Sequence, residues 1–405
     1  GLTVAPVRDR LAGFYDGEEF VFEESSWYLL NLLKLLWRYG LNPLRMYMWV
    51  EDILDKFMRI YRYQAHDYAF SSNEGLMRAL GGEDFTRMLN QSIDEALQRA
   101  GFSQKFINEV VCPAMRFNYG QGVNINSFVG EYLLRPHAGS WPSCCPPGHR
   151  FREGLKIKGL KSHRVGLTEL FLPVLLPPRT PPSPGEPVNL YHVTYNTSSG
   201  LTGDTYDIVL VAAPLGPKMA NITFKNFQPP IPEFPNPYHQ TVTTFIHGRL
   251  NASFFGYRDP SAFRLGSIFT MENPKLFINS LGIVSPVEGE KEEAGRAEEP
   301  PLAVWKVFSQ EELTKEQLNL LFKSYDSVKM KKWLAYPHYS PPERSPPLVL
   351  HHHLYYLNGL ERAASAAEFS ALAAKNAALL AFHRWHGNTH SLDQPDLQEK
   401  LKTEL

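Results

Sequence analysis

The chain has 405 residues, of which 43% are apolar and 13% aromatic, so it can bury a substantial core, and its length suggests two domains. Its formal net charge is −1 and no basic stripe with interleaved aromatic residues is present, so we expect no nucleic-acid partner. The three cysteines form no disulfide framework: Cys112 stands alone in an apolar stretch and is predicted to be buried, and Cys144 and Cys145 are adjacent.

Residues 1–130 predict a mostly helical region. Residues 27–37 are apolar except for Asn31 and Lys34, and this segment is shorter than the roughly twenty residues that span a bilayer. It is either a buried helix or a helix that lies on a membrane surface. Apolar residues also recur at helical spacing from Val50 to Tyr61, opposite a charged face.

Two further helices are expected in the same region. Ser71 and Glu74 fit a capping box that begins the first of them. Apolar residues from Phe85 to Leu97 predict a second amphipathic helix that ends at Gly101.

The middle of the chain changes character. Residues 131–187 are dense in proline, which disfavours helices and central strands, and we expect an irregular segment there. Residues 188–225 contain Tyr206–Pro214, an apolar run that predicts a strand covered on both faces, as in a parallel sheet.

Residues 226–345 predict an antiparallel sheet. The prediction rests on short segments that are rich in β-branched or aromatic residues and are separated by turn residues. The first of them lies just before this region, and the set is Leu190–Tyr195, Gln240–Gly248, Ser267–Met271, Phe277–Gly282 and Val304–Ser309. Residues 287–301 are rich in glutamate and are expected to form a solvated linker. Glu311–Tyr325 is predicted to be helical.

Residues 346–405 combine a strand and a helix. Leu354–Gly359 is a short aromatic run closed by glycine, and Ala363–Trp385 is rich in strong helix formers. Small side chains at the start of this helix leave room for an electron-rich ligand near backbone N–H groups of the first turn. The same pattern is typical of a helix that packs closely on a sheet, and both interpretations stay open.

Other motifs point away from metal and hydrolase chemistry. His351–His353 are consecutive, and side chains on a strand alternate between its faces, so the three imidazoles are not expected to converge on one ion. The sequence has no Gly-x-Ser-x-Gly, His-Glu-x-x-His or Cys-x-x-Cys motif.

Several segments resemble known flavoproteins. Tyr206–Pro214, followed later by the strand, glycine and alanine-rich helix of the C-terminal region, is similar to the group that includes amine oxidases and phytoene desaturases. The segments that resemble one family within that group, prenylcysteine oxidase, are Trp37–Tyr39, Met48–Ala69, Asn118–Gln121, Trp333–Tyr339 and Glu399–Leu405. The resemblance covers roughly residues 13–130 and 188–405.

This resemblance implies a fold and an activity. The fold would be mixed α/β, with an FAD-binding doubly wound domain and a substrate domain built from an antiparallel sheet and helices. The activity would be FAD-dependent cleavage of farnesyl- or geranylgeranyl-cysteine to cysteine, prenyl aldehyde and hydrogen peroxide, during prenylated-protein breakdown. The residues that match the flavin-facing motif are Gly359, Glu361, Ala366, Ala367 and Glu368. No catalytic acid or base is assigned, no protein partner is indicated, and peripheral contact with a membrane or lipid stays open.

The chain departs from the family pattern in two places. The Gly-x-Gly-x-x-Gly turn that seats FAD pyrophosphate in the family does not occur in this sequence, so we expect an incomplete FAD domain here, and residues 131–187 do not follow the family. An alternative is therefore a non-catalytic family member that binds at most a lipid and holds no FAD.

The family is glycosylated and lysosomal, which implies the secretory route here. No signal peptide is visible in this sequence. Sequons begin at Asn90, Asn196, Asn221 and Asn251, and these are the predicted glycan sites. The ending Lys402–Leu405 approximates an ER retrieval signal, although an ordinary polar tail has the same composition.

Overall fold

The computed structural model describes residues 10–134, 166–171, 190–198, 200–220, 222–284, 302–394 and 397. In these ranges the chain is a mixture of helices and three sheets, so the predicted mixed α/β class is confirmed. Cys144, Cys145, the linker 287–301, the ending Lys402–Leu405 and the sequon at Asn221 lie outside the described residues.

The helices of the first part are short and form one layer. A π-helical turn at Ile107–Val111 connects the sixth helix to the seventh. The helices are α1 (Tyr28–Tyr39), α2 (Asn42–Phe57), α3 (Arg59–Ala65), α4 (Asn73–Met88), α5 (Ile93–Arg99), α6 (Gln104–Phe106), α7 (Cys112–Tyr119) and α8 (Ser127–Leu133). Two more helices follow the sheets: α9 (Lys315–Leu321) and α10 (Ala367–Trp385).

The largest sheet has seven strands in the order β12-β8-β11-β10-β9-β1-β2. Its members are β1 (Leu11–Tyr15), β2 (Phe20–Glu23), β8 (Tyr238–Leu250), β9 (Leu265–Thr270), β10 (Ser280–Ile283), β11 (Leu302–Ser309) and β12 (Phe322–Pro337). Its pairs are antiparallel except for β1 beside β9.

Two smaller sheets complete the fold. One has the order β5-β4-β3-β7 and the other the order β13-β14-β6. Their strands are β3 (Gly166–Phe171), β4 (Tyr191–Thr197), β5 (Gly200–Tyr206), β6 (Val209–Val211), β7 (Thr223–Lys225), β13 (Val349–His351) and β14 (Leu354–Tyr356).

The seven-stranded sheet has a separate core on each face. One face joins the helical layer through Phe14, Phe22 and Phe269, which share a cluster with α2, α4 and α7. The other face buries Trp305, Ile246 and Leu281. Helix α10 packs against the same helical layer, where the rings of Phe57 and Phe369 stack at 5.1 Å. The helical layer therefore lies between the large sheet and the C-terminal helix.

Helix α1 differs from the buried helix that the sequence allowed. Its buried residues are Asn31, Leu35 and Tyr39, one narrow stripe, while Leu33 and Trp37 on the opposite side are exposed. The interpretation as a buried helix holds for this stripe alone and is wrong for the exposed side. Because the segment is apolar on nearly every side, its periodicity could not show which side meets the core.

Two helix boundaries also differ from the prediction. The cap of α4 is Ser72, whose hydroxyl accepts from Gly75 N, and not Ser71. The helix predicted from Phe85 to Leu97 is broken, because Ser92 begins α5 with a capping box that includes Glu95. The side chain of Ser92 satisfies the first N–H groups of the new helix, which favours a start at that point.

The strands bring three further corrections. Residues 322–325 of the predicted helix belong to β12, because they pair with β8. The predicted strand Leu190–Tyr195 lies in the four-stranded sheet and not with the large sheet. The irregular segment 131–187 contains β3, a proline-free stretch that pairs with both β4 and β7.

The predicted parallel strand in Tyr206–Pro214 is present as β6, which pairs in parallel with β14. It is not covered on both faces, because Leu210 is exposed. Cys112 is buried as predicted.

Candidate functional site

The strand-to-helix joint carries the residues predicted to face a flavin. After β14 the chain makes a 3₁₀ turn at Leu357–Arg362 before α10 begins. Gly359 lies in this turn, and a Cβ at that position would be 2.8 Å from Leu348 Cδ2 and 3.1 Å from Pro346 O. Its carbonyl accepts a hydrogen bond from Asn73 Nδ2 at 2.7 Å. The absence of a side chain at Gly359 is thus explained by close packing inside the protein.

Glu361 holds the joint together. One carboxylate oxygen accepts hydrogen bonds from Tyr238 Oη at 2.8 Å and Asn358 Nδ2 at 3.3 Å, and the other accepts from Ser365 Oγ at 2.8 Å. Burial, followed by the negative charge of Glu361, raises the pKa of Tyr238. That phenol therefore stays protonated and serves as a donor.

The entrance of α10 is made of small residues. Ala366 is the N-cap residue and gives no side-chain hydrogen bond to the first turn. Ala366 is half-buried and Ala367 is exposed, while Ala363 and Ala364 just before them are fully buried. Glu368 accepts a short hydrogen bond from Tyr61 Oη. The helix begins at Ala367 and not at Ala363 as predicted, and its start lacks a side-chain cap.

Two segments that are far apart in the sequence meet at this joint. Tyr119 at the end of α7 packs edge-on against Tyr339, with ring centres 5.4 Å apart, and its Oη donates to Ser365 O at 2.8 Å. Tyr339 Oη accepts from Ser365 N at 2.9 Å and donates to Glu361 O at 3.1 Å. Gln121 donates to Pro337 O and accepts from Tyr339 N, each at 3.0 Å. We refer to Tyr119, Gln121, Tyr339, Glu361 and Ser365 as the junction.

Beside the junction lies a group of buried polar atoms with no partner in the described residues. His239 Nε2 and Asn279 Nδ2 are both buried and make no hydrogen bond there. A Cβ at Gly120 would lie 3.0 Å from His239 Nε2 and 3.2 Å from Asn279 Nδ2. We name this group, Gly120 with His239 and Asn279, the Gly120 cradle. Burial, and then the neighbouring His338, lower the pKa of His239, so its imidazole is neutral.

The cradle continues into one face of the large sheet. Along β8, Thr241 and Thr243 follow His239 at alternate positions, and their buried hydroxyls also have no partner in the described residues. Thr243 lies opposite Phe308, and Thr241 lies opposite Trp333. Three aromatic side chains share this face: Phe245 and Trp333 are exposed, and Phe308 is half-buried. Lys306 lies opposite Phe245 with its ammonium 4.7 Å from the centre of the Phe308 ring, and Lys331 lies opposite Thr243. The face is therefore aromatic and basic, with the cradle at one end.

Sequence reasoning missed His239 and Asn279. One residue lies near the start of a long strand and the other just before β10, and neither belongs to a local motif. The nearest signal was Asn118–Gln121, which contains Gly120. That glycine adopts a left-handed φ of 67° at the end of α7, a conformation that favours glycine.

The three consecutive histidines do not converge on one point, since the rings of His352 and His353 stack at 4.0 Å while His351 faces Tyr191. His351 Nδ1 lies 2.8 Å from Tyr191 Oη, and His353 is buried in the turn between β13 and β14. The expectation that these side chains alternate between the faces of a strand applies to His351 alone, since His352 and His353 are turn residues. In the described ranges no group of three or more metal-ligating side chains could hold an ion.

Comparison with known proteins identifies the family. The family model described as prenylcysteine lyase matches residues 22–141 and 176–394. Its unmatched stretch, 142–175, is narrower than the predicted departure at 131–187.

Individual relatives align over nearly the whole chain. Prenylcysteine oxidase 1 of Bos taurus is 51% identical over 407 residues, which covers 100% of this chain and 78% of the relative. The Homo sapiens protein of that name is 51% identical, covering 100% of this chain and 79% of its own length. Prenylcysteine oxidase 1-like of Homo sapiens is 40% identical and covers 97% of this chain and 78% of that protein.

Among solved structures, cyclohexylamine oxidase from Brevibacterium oxydans IH-35A aligns with 82% of this chain and 75% of its own, at 10% identity and a TM-score of 0.40. That likeness is too low to define the fold. The family model and the full-length relatives are sufficient by themselves, and the chain belongs to the prenylcysteine oxidase (prenylcysteine lyase) family.

Proposed function

We propose that this chain is an FAD-dependent oxidase that cleaves the thioether of farnesyl- or geranylgeranyl-cysteine, yielding cysteine, prenyl aldehyde and hydrogen peroxide, in prenylated-protein breakdown. The observation that carries the proposal is 51% identity over the full chain to proteins named prenylcysteine oxidase 1. Such identity over the full chain favours an enzyme over the alternative of a non-catalytic lipid-binding protein.

The residues at the joint fit a flavin. The start of α10 has no side-chain cap, and the adjacent Gly120 cradle holds buried nitrogen atoms with no partner in the described residues. Buried polar groups normally have hydrogen-bond partners, so unpaired donors beside an uncapped helix start suit a ligand rich in carbonyl oxygens. Ala366, Ala367 and Glu368 would lie against it, while Gly359 and Glu361 would support them from behind. Bound FAD would supply the two-electron acceptor for oxidation of the prenyl carbon attached to sulfur, with oxygen as the final acceptor. Water would supply the aldehyde oxygen, and the carbon–sulfur bond would break to release the cysteine thiol.

The chain's own residues would bind and orient the substrate. The prenyl group suits the aromatic side chains of Phe245, Phe308 and Trp333, because burying apolar surface away from water is favourable. The amino-acid part suits the polar end at the Gly120 cradle, where Asn279 Nδ2 can donate to a carboxylate. Neutral His239 can donate or accept there. The surface would thus place the carbon–sulfur bond between these aromatic side chains and the cradle.

The test combines spectroscopy with product analysis. The purified chain is titrated with FAD while its visible absorbance is recorded, and farnesylcysteine is then added under nitrogen. We expect flavin bands that bleach with the substrate, and farnesal and peroxide once oxygen is admitted. A colourless protein that forms no aldehyde would overturn the proposal.

We also propose that the protein follows the secretory route to the lysosome and carries glycans. Asn90 and Asn196 are exposed and so permit glycan attachment, whereas Asn251 is half-buried. The side-chain amides of Asn90 and Asn251 each donate to a backbone carbonyl, to Thr86 O at 3.0 Å and to Leu320 O at 2.9 Å. Enzymatic removal of N-linked glycans from protein expressed in animal cells should shift its electrophoretic mobility. Asn90→Gln and Asn196→Gln should each remove one step of that shift, and an unshifted wild-type band would contradict the assignment.

A further inference from the structure

Strand β12 lies at one end of the large sheet, and most of it is exposed. It is sixteen residues long, from Phe322 to Pro337, and one of its sides pairs with β8. In the described ranges no strand pairs with its other side. A long strand in this position presents a row of backbone N–H and C=O groups with which another extended chain can pair. We refer to residues 328–332 on this side as the β12 edge.

One face of the β12 edge is apolar. Val328 lies opposite Ile246 of β8, and Met330 follows two residues later on the same face. Ile246 is fully buried in the core of that face. Val328 and Met330 are instead 40% and 46% exposed. The core on this face therefore ends in two apolar side chains that a further strand would cover.

The opposite face of the β12 edge is basic. Lys329 and Lys331 alternate with the two apolar residues, so both of their side chains project from this face. Both are exposed, and in the described part of the chain neither forms an ion pair. Lys306 of β11 lies opposite the same residue of β8 as Lys329 does, Phe245, and adds a third positive charge.

Acidic residues of the chain do little to offset this charge. From Ser327 to Pro342 the sequence contains no aspartate or glutamate. Asp326, just before the edge, has its Oδ1 2.7 Å from His247 Nδ1. Lys332 lies 3.3 Å from Glu311, but its side chain belongs to the apolar face. The basic face therefore keeps its positive charge.

The charges distinguish between two kinds of occupant for the edge. A second copy that paired antiparallel with this strand would bring its own lysines against Lys329 and Lys331, and like charges on facing strands are destabilising. Lysines on an edge strand commonly oppose self-pairing in this way. A strand with acidic residues at alternate positions would instead meet opposite charge on the basic face, and its other side chains would pack over Val328 and Met330.

We propose that the β12 edge binds an extended segment of a partner protein in which acidic and apolar residues alternate. The segment would add to the sheet as a further strand, so that main-chain hydrogen bonds give affinity and the alternating side chains give selectivity. Its acidic side chains would face Lys329 and Lys331, and its apolar side chains would cover Val328 and Met330. The proposal does not depend on the enzymatic activity or on bound FAD.

A peptide titration tests the proposal with the full chain. The probe is a fluorescently labelled peptide of alternating glutamate and valine, and its anisotropy is recorded as protein is added. We expect saturable binding that weakens at high salt, because salt screens exposed charges. The double variant Lys329→Gln with Lys331→Gln should bind the probe about fivefold more weakly, since each pair of opposite charges on facing strands contributes modestly.

Two controls separate strand pairing from general attraction between charges. Lys105→Gln with Lys375→Gln removes two exposed lysines from helices and changes the net charge equally, so this variant should bind the probe as the wild type does. A second peptide has proline in place of its central valine, which removes a backbone donor and disfavours a strand. It should bind at least about tenfold more weakly than the probe. Thermal unfolding should show that all variants are folded.

Three outcomes would overturn the proposal. In the first, the probe fails to bind the wild type, whether the chain is a monomer or a dimer that uses this edge. In the second, both double variants bind the probe equally well. In the third, the proline peptide binds as tightly as the probe, which would leave a basic surface without strand pairing.

Discussion

The junction and the Gly120 cradle lie side by side, yet their buried polar atoms differ: those of the junction are hydrogen-bonded, and two buried nitrogens of the cradle have no partner in the described residues. In the junction, Tyr119, Gln121, Tyr339, Glu361 and Ser365 exchange hydrogen bonds of 2.8 to 3.1 Å. In the cradle, whose Gly120 lies between Tyr119 and Gln121 in the chain, His239 Nε2 and Asn279 Nδ2 are also hidden from water and make none in the described residues.

This difference distinguishes residues that stabilise the fold from residues that bind a ligand. A paired buried network stabilises the fold, and removing one member leaves the others desolvated and unpaired. An unpaired buried nitrogen costs stability, so it persists where it serves another purpose such as a ligand. Substitutions in the junction should therefore act mainly on stability, and those in the cradle mainly on binding.

The largest effect is expected for Glu361→Ala. The change leaves the hydroxyls of Tyr238 and Ser365 without their acceptor, so we expect a loss of about 4 kcal/mol in the free energy of unfolding. Urea denaturation measures it, with Glu368→Ala as control because Glu368 is only half-buried. A loss under about 1 kcal/mol for Glu361→Ala would show that the junction is not a cooperative network.

The buried imidazole of His353 makes the stability of the protein depend on pH. Burial, aided by His352 and Arg384, lowers the pKa of His353 to about 4, below the value of about 6.5 in an unfolded chain. The unfolded state thus binds more protons between these values, and stability is lost as pH falls through that window. The loss is at most about 3 kcal/mol.

His353→Asn should flatten this dependence. Asparagine tolerates the φ of 63° found at position 353, and it does not titrate. Unfolding free energies at pH 7 and at about pH 4.5 should differ less in the variant than in the wild type. The exposed His390→Asn is the control; if it flattens the profile as much, His353 is not the cause.

Gly120→Ala tests whether the cradle binds a ligand. Its Cβ would fill the space faced by His239 Nε2 and Asn279 Nδ2, and the left-handed φ of 67° adds about 1 kcal/mol of strain. We expect FAD or farnesylcysteine affinity to fall by about tenfold or more, well beyond the change in stability. Equilibrium titration measures the affinity.

Gly256→Ala supplies the matched control. Gly256 has a φ of 85° and also ends a short helix, but the nearest atom to its Cβ position is 3.9 Å away. It should share the backbone strain and leave binding unchanged. Equal loss of binding in both variants would assign the effect to strain rather than to the cradle.

The sequence predicted local elements better than the contacts between them. The strand, turn and helix of residues 354–385 follow from short-range composition, and so does the uncapped start of α10. Gln121 and Tyr339 lie in segments that resemble the family, but the sequence around each residue does not show that the two form a hydrogen bond with each other. Such contacts depend on tertiary packing, which periodicity does not encode.

Helix α1 shows the same limit. Its length was predicted well, since apolar helix formers fill residues 27–37. A segment that is apolar on nearly every side does not specify which stripe is buried. Packing against the rest of the helical core decides that, so the exposed stripe of Leu29, Leu33 and Trp37 became visible only in the structure.

The smallest change in stability is expected for Asn279→Leu. This substitution removes a buried donor that has no partner in the described residues, so the free energy of unfolding should change by less than about 1 kcal/mol. The kcat/KM for farnesylcysteine should nevertheless fall by about tenfold, because the substrate carboxylate loses a donor. Asn126→Leu is the contrasting variant: Asn126 Oδ1 accepts from Val129 N at 2.9 Å and its Nδ2 donates to Arg362 O at 3.3 Å, so stability should drop there instead. If Asn279→Leu kept full activity while losing stability as Asn126→Leu does, the cradle would belong to the supporting framework together with the junction.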